Sequence, residues 1–180
     1  MRVISGMRRG SVLFCPEIEG LRPTTDRVKE NIFNLIQNEI TGRTVLDLFA
    51  GSGAMGIEAL SRGAKSCVFC DTGKEAAAAV KKNLAKTGFS DKATVKETDA
   101  ESYLSTAGVK FSLVFLDPPY HSGLEKKALD ILISRKLLSE GAIIIYESDG
   151  DEELKVFEGI NVRTVRSYGR VKVTVAVYGA

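Results

Sequence analysis

FLDPPYHSG, residues 115–123, closes an apolar run with Asp117, Pro118, Pro119 and Tyr120. Prolines fix φ and carry no amide hydrogen, so such a turn is stiff. The Asp117 carboxylate and the Pro118 carbonyl then form a rigid acceptor pair. Such a pair can take both hydrogens of an exocyclic amine and aim its nitrogen at a group to be transferred to it. Tyr120 adds a face on which a flat base can stack. An amine conjugated with a ring is a poor nucleophile; two aligned acceptors return electron density to it and pin its geometry. Asp117 can also receive a proton after transfer. These four residues form the candidate catalytic set. Read as packing alone, the stretch is a proline-rich turn with a buried tyrosine. His121 is the single histidine, but this chemistry needs no imidazole and none is assigned to it.

The second stretch is VLDLFAGSGAMGIEA, with Gly51, Gly53 and Gly56 in G-x-G-x-x-G spacing between an apolar run and a helix-like segment. Glycines there permit a tight turn and let a ligand approach the backbone and the helix N-terminus. A dinucleotide would bring a pyrophosphate to that end, and Asp47, four residues before the first glycine, offers nothing to an anion. S-adenosylmethionine carries an ammonium and a sulfonium and no phosphate, so it is the expected cofactor. Phe49, Gly51, Ser52 and Gly53 are the candidate loop contacts. Asp71, 20 positions after Gly51, can accept from both ribose hydroxyls. Asp99, with Ala100 beside it, can accept from an adenine amino group. The alternative for Asp71 is a solvated acid at the end of a strand, and for Asp99 a loop acid with no function.

The elements that must position these residues are legible as apolar runs. RTVLDLF, KSCVFCD, KATVKE, FSLVFLD and GAIIIYE read as strands covered on both faces. Between them lie helix-like segments, AMGIEALSR, KEAAAAVKKNLAKTG with Gly88 as a stop, and LEKKALDILISRKLL. TDRVKENIFNLIQNEI spaces Val28, Ile32, Leu35, Ile36 and Ile40 as one amphipathic helix, with Asp26 near its start. Strands alternating with helices predict an α/β fold with a mostly parallel sheet and helices on both faces. INVRTVRSYGRVKVTVAVYGA alternates polar and apolar residues around Tyr168-Gly169-Arg170, which predicts a terminal antiparallel hairpin.

The chain has 180 residues, enough for one domain over 1–180 with its own core. Lys plus Arg number 25 against 23 acids, a balance that neither requires nor excludes a nucleic acid. Both ends are basic, through Arg2, Arg8 and Arg9 and through Arg163, Arg166, Arg170 and Lys172. No run approaches the ~18 apolar residues of a membrane span and no apolar leader opens the chain, so a cytoplasmic location is expected. Cys67 and Cys70 form a C-x-x-C, but residues three apart on a strand face opposite ways and cannot share a ligand. They read as core cysteines, and no metal site is expected.

D-L-F-A-G-S-G followed by D-P-P-Y resembles the Rossmann-like class I S-adenosylmethionine-dependent methyltransferases that act on exocyclic amines. RVISGMRRG followed by GLRPTTDRVKENIFN is similar to the RsmD family, bacterial enzymes that methylate the 2-amino group of a guanine in 16S ribosomal RNA. The similarity covers nearly the whole chain. It implies a seven-stranded sheet with one antiparallel strand and a substrate within small-subunit particles. It also implies that Arg22, Pro23, Thr24, Thr25, Asp26 and Arg27 wall the substrate side of the site. Arg2, Arg8 and Arg9 would lie nearby on the RNA side, residues 1–22 forming a basic extension. Arg8 stands where many members carry tryptophan, which keeps charge and removes a stacking ring. Asp71 stands where glutamate is common.

Three other readings compete. A DNA adenine methyltransferase shares D-P-P-Y but usually needs more chain to read a duplex. A nicotinamide oxidoreductase is disfavoured by Asp47 and gives no reason for D-P-P-Y. A noncatalytic RNA-binding or assembly module would keep the pocket without turnover.

Overall fold

The computed structural model describes residues 1–16, 25–151 and 157–179. In chain order the elements are α1 (Asp26–Leu35), β1 (Thr44–Leu48), α2 (Ala54–Ser61), β2 (Ser66–Asp71), α3 (Lys74–Thr87), β3 (Ala93–Glu97), α4 (Ala100–Thr106), β4 (Phe111–Leu116), α5 (Leu124–Ser134), β5 (Leu138–Asp149), β6 (Ile160–Tyr168) and β7 (Val171–Tyr178). The strands form one seven-stranded sheet in the order β3-β2-β1-β4-β5-β7-β6. β1 pairs in parallel with both β2 and β4, so the order reverses beside it. Open α/β sheets bind ligands beyond the carboxyl ends of the strands at such a reversal.

β7 runs antiparallel to both of its neighbours, and β6 therefore runs with the rest. As a result the β6–β7 turn lies at the same sheet edge as the ends of β1, β2, β4 and β5. The RsmD-like expectation of one antiparallel strand corresponds to β7.

Apolar side chains cover both faces of the sheet, as strands without alternation require. One core gathers Ile32, Phe33, Ile57, Leu60, Phe69 and Phe115. The other gathers Leu46, Leu104, Val114, Leu129, Leu132 and Ile144. Cys67 belongs to the first and Cys70 to the second, so the pair sits on opposite faces, as its spacing in a strand demands. Burial raises both thiols, Cys70 to about 12.

Boundaries differ from the sequence expectation in three places. α1 ends at Leu35, and Ile36 and Ile40 reach the core through a turn in which the Glu39 amide donates to the Ile36 carbonyl. α5 ends at Ser134; Lys136 takes a positive φ of 54°, and Leu137 and Leu138 turn inward where β5 begins. α4, short and capped by Asp99, was not anticipated.

Residues 1–13 fold back on themselves through Val3 N to Ser11 O at 2.9 Å and Leu13 N to Met1 O at 2.9 Å. This arm docks on α2 through Glu58, whose carboxylate accepts the amides of Ile4 at 2.7 Å and Ser5 at 3.0 Å. Glu58 also meets Arg62 Nε at 2.8 Å and Lys29 Nζ at 3.6 Å. The Lys29 amine donates to the Arg2 carbonyl at 2.5 Å. Lys29 and Glu58 are fully enclosed, so each must have partners to offset desolvation. Burial lowers the Lys29 pKa and Glu58 partly restores it.

Candidate active site

β1 delivers Asp47 into the interior one residue before its end, and the Asp47 carboxylate accepts the Gly56 amide at 2.8 Å. Gly56 is in the first turn of α2, where amides have no partner within the helix, and the N-cap Gly53 has no side chain to supply one. Asp47 therefore caps α2 from the neighbouring strand. Gly56 is required for another reason. A Cβ there would fall 2.3 Å from Phe69 Cε1 and 2.6 Å from Cys67 Sγ, so only glycine lets α2 lie this close to β2.

Asp71, at the end of β2, accepts the Gly51 amide with Oδ2 at 2.8 Å and the Gly73 amide with Oδ1 at 2.8 Å. The carboxylate thus ties the glycine loop to the start of α3. Other loop amides are also engaged, Phe49 and Ala50 with the Cys70 carbonyl at 3.0 Å each and Gly53 with the Ala50 carbonyl at 2.7 Å. Phe49 takes a positive φ of 72° and packs against the second core. Ser52 is buried, and its carbonyl accepts from Asn83 Nδ2 at 2.9 Å.

The electrostatics follow from this crowding of acids. Desolvation raises the Asp47 carboxyl to about 7 against the Gly56 hydrogen bond, with Asp117 and Asp71 adding repulsion. Asp47, Asp71 and Asp117 therefore share one field, which favours a cation and opposes a phosphate. Asp99 is exposed, and its carboxylate accepts the Ser102 amide at 2.8 Å as the N-cap of α4. The hydroxyl and amide of Ser102 hold its pKa below the ordinary value. Ala100 follows as the first, buried residue of the helix.

Asp117 leaves the end of β4 half-buried, Pro118 is buried, Pro119 is exposed and Tyr120 is half-buried. The Ser122 amide donates to the Pro119 carbonyl at 3.3 Å, closing a turn with the carbonyl after Pro118's. His121 follows in the left-handed region at φ 58°, its Nε2 3.8 Å from Asp149 Oδ2 and 3.9 Å from Asp151 Oδ1. The structure thus brings Asp47, Phe49, Gly51, Ser52, Gly53, Asp71 and the 117–120 turn to one sheet edge.

The model of the family described as conserved hypothetical protein 95 matches residues 1–177. Ribosomal RNA small subunit methyltransferase D of Escherichia coli strain K12 is 39% identical over 154 residues, which span 86% of this chain and 77% of that one. Its counterpart of the same name in Haemophilus influenzae is 40% identical over 157 residues, 86% and 81% of the two chains. The solved structure of yhhF from Escherichia coli superposes with a TM-score of 0.90 at 32% identity, covering 100% of this chain and 98% of that one. This chain belongs to the RsmD family.

Among the described residues, those that RsmD membership points to on the RNA side fall in two places. Arg22, Pro23 and Thr24 lie outside the described residues. Thr25 is the N-cap of α1, its hydroxyl accepting the Val28 amide at 3.3 Å, and Arg27 is exposed on the first turn. Arg2 pairs with Asp26, Nε to Oδ2 at 3.5 Å. Arg8 and Arg9 lie apart from the glycine loop and the 117–120 turn. They sit at the tip of the N-terminal arm, where the Arg8 amide donates to Ser61 Oγ at 3.0 Å and the Arg8 guanidinium lies over Gly88. Ser61 and Gly88 end α2 and α3, at the sheet edge opposite the glycine loop. The arm is held there because Gly6 is in close contact with Ser61, a Cβ on it falling 1.9 Å from the Ser61 carbonyl.

Asn83 was missed as a supporting residue in this RsmD-family chain. Fully buried in α3, it accepts the Phe14 amide at 2.8 Å and donates to the carbonyls of Phe14 and Ser52. It joins the arm to the glycine loop. The signal was available, since Asn83 falls on the helical face of Ala76, Ala79 and Val80, where an unpartnered amide is costly.

Proposed function

We propose that this protein is an S-adenosylmethionine-dependent methyltransferase that modifies the exocyclic 2-amino group of a guanine in 16S ribosomal RNA, acting as one domain in the cytoplasm. The observation that carries the reading is the glycine loop. Its amides at Phe49, Ala50, Gly51 and Gly53 are occupied by the protein's own acceptors, while Asp47, Asp71 and Asp117 surround it. Those four amides are not open to a pyrophosphate and the acids beside them oppose its charge, whereas a cationic cofactor finds favourable charge. This also weighs against a nicotinamide oxidoreductase.

S-adenosylmethionine supplies a methyl group on a positively charged sulfur. Asp71 keeps lone pairs beyond those taken by Gly51 and Gly73, enough to accept from ribose hydroxyls. Asp47 and the loop face the cationic end, and Asp99 with Ala100 borders the adenine side. On the substrate side, Asp117 and the Pro118 carbonyl accept the two amine hydrogens while Tyr120 stacks on the base. The nitrogen gains a methyl and gives up one proton, for which Asp117 is the acceptor. Names of relatives that specify small-subunit ribosomal RNA support this substrate. Engagement within small-subunit particles fits a net charge of only +2, which leaves part of recognition to the shape of the particle.

The test is transfer of labelled methyl to unmethylated small-subunit particles, naked 16S RNA and duplex DNA, followed by nucleoside analysis. Labelled 2-methylguanosine from particles or RNA is expected. Labelled methyladenine from DNA, or no label from any substrate despite cofactor binding, overturns the reading.

A further inference from the structure

We infer that Arg170, at the tip of the C-terminal hairpin, contacts a phosphate of the RNA strand that presents its base to Asp117, and that Asp149 is the residue that positions it. The inference rests on the RNA reading above and concerns a surface that reading does not use.

Asp149 ends β5 with its side chain 9% exposed, yet its Oδ2 is 3.2 Å from Arg170 Nη2 and 3.8 Å from His121 Nε2. Its Oδ1 accepts the Gly150 amide at 2.7 Å, and that amide also lies 2.7 Å from the Arg170 carbonyl. One carboxylate thus joins the residue after the 117–120 turn to the hairpin tip. The guanidinium is held on one side, while its side chain remains 75% exposed. An arginine fork fixed through one nitrogen presents its remaining donors in a defined direction, the geometry suited to a phosphate.

Placement supports a ligand over a purely structural role. Residues 160–180 contain four cations and no acid. Arg163 and Arg166 lie on the edge strand β6, where charge blocks edge-to-edge pairing, and Arg163 is engaged by Glu39 at 2.6 Å. Arg170 lies in the turn beyond the ladder and has no edge to protect. The turn also falls at the catalytic edge, because β6 runs parallel to β1 and β4. On the far side of Asp149 from the hairpin, His121 Nε2 lies 3.9 Å from the exposed Asp151, so the cation left outward-facing at this rim is Arg170.

The experiment measures methyl transfer kinetics to the RNA substrate across ionic strength, with S-adenosylmethionine affinity measured in parallel. Arg170→Gln is expected to raise KM for RNA about 10-fold, to lower the salt slope by about one phosphate contact and to leave cofactor Kd unchanged. Arg170→Lys restores the slope. Asp149→Asn raises KM but keeps the slope, since the charge remains and only its tether is lost. Unchanged KM and slope in Arg170→Gln, with active wild type, overturn the inference alone. Absence of transfer to RNA by wild type overturns the functional reading itself.

Discussion

The Asp47 carboxylate accepts the Gly56 amide at 2.8 Å in a fully enclosed position, joining the end of β1 to the first turn of α2. This pairing places an acid raised to about 7 beside the glycine loop. Between its ordinary value of 3.8 and about 7 the folded protein holds a proton there that the unfolded chain releases. Stability of the ligand-free protein therefore falls as pH rises through that window. A cationic cofactor favours the ionised form, so its binding below about pH 7 must expel that proton. We expect S-adenosylmethionine Kd to rise as pH falls from 8 to about 6, by at most ~10-fold per unit below the pKa. In Asp47→Asn this dependence should vanish. Calorimetric titration across this range checks both, and a flat wild-type profile removes Asp47 from the linkage.

Gly56→Ala places a methyl group in van der Waals overlap with Phe69 and Cys67. Overpacking of this kind costs about 1–3 kcal/mol. A chain of this size then loses roughly 2–4 °C of Tm per kcal/mol. Because α2 must move away from β2, cofactor affinity should fall together with Tm. Thermal denaturation with and without S-adenosylmethionine distinguishes this from simple core damage, which would leave the ligand-induced shift intact.

Glu58 serves Lys29, Arg62 and the amides of Ile4 and Ser5, whereas Lys29 is one of several groups around Glu58. The two halves of this buried pair are therefore unequal. Glu58→Leu should destabilise by about 3–5 kcal/mol, the range for stranding a buried charge. Lys29→Met should cost less, because Glu58 keeps Arg62 and both amides. Denaturant unfolding of the two variants checks the order, and a Lys29→Met cost equal to that of Glu58→Leu would contradict it.

Asp117→Asn keeps an acceptor oxygen but turns the other oxygen into a donor that faces the amine. Turnover should drop by about 100-fold or more, while S-adenosylmethionine Kd changes little. Single-turnover methyl transfer, with cofactor binding measured separately, checks the pair of outcomes. Near-wild-type turnover would exclude Asp117 from the chemistry.

Much of this arrangement could be read from local sequence because it depends on local rules. The glycine loop follows an apolar run and opens a helix, so its place at the end of β1 is set within fifteen residues. Cys67 and Cys70 separate to opposite faces by strand period alone. Other features depend on distant pairing. GAIIIYE suggests a strand ending at residue 147, but β5 extends to Asp149 because Ser148 and Asp149 pair with Lys172 and Val171 of β7. The Asp149 link to His121 and Arg170 joins three segments remote in sequence, and no local pattern reports it. Arg8 and Arg9 look like companions of Arg2. The arm's fold-back, with Gly6 packed on Ser61, carries them to the far edge.

The N-terminal arm has a further consequence for the order in which the chain acquires structure. Its anchors lie far downstream, at Glu58, Ser61 and Asn83, with Lys86 Nζ donating to the Val12 carbonyl at 2.6 Å. During synthesis the arm thus waits for the segment from Glu58 to Lys86 before it can dock. All of these contacts are long-range, so docking of the arm and the Asn83 tether between arm and glycine loop both require α2 and α3 to be present.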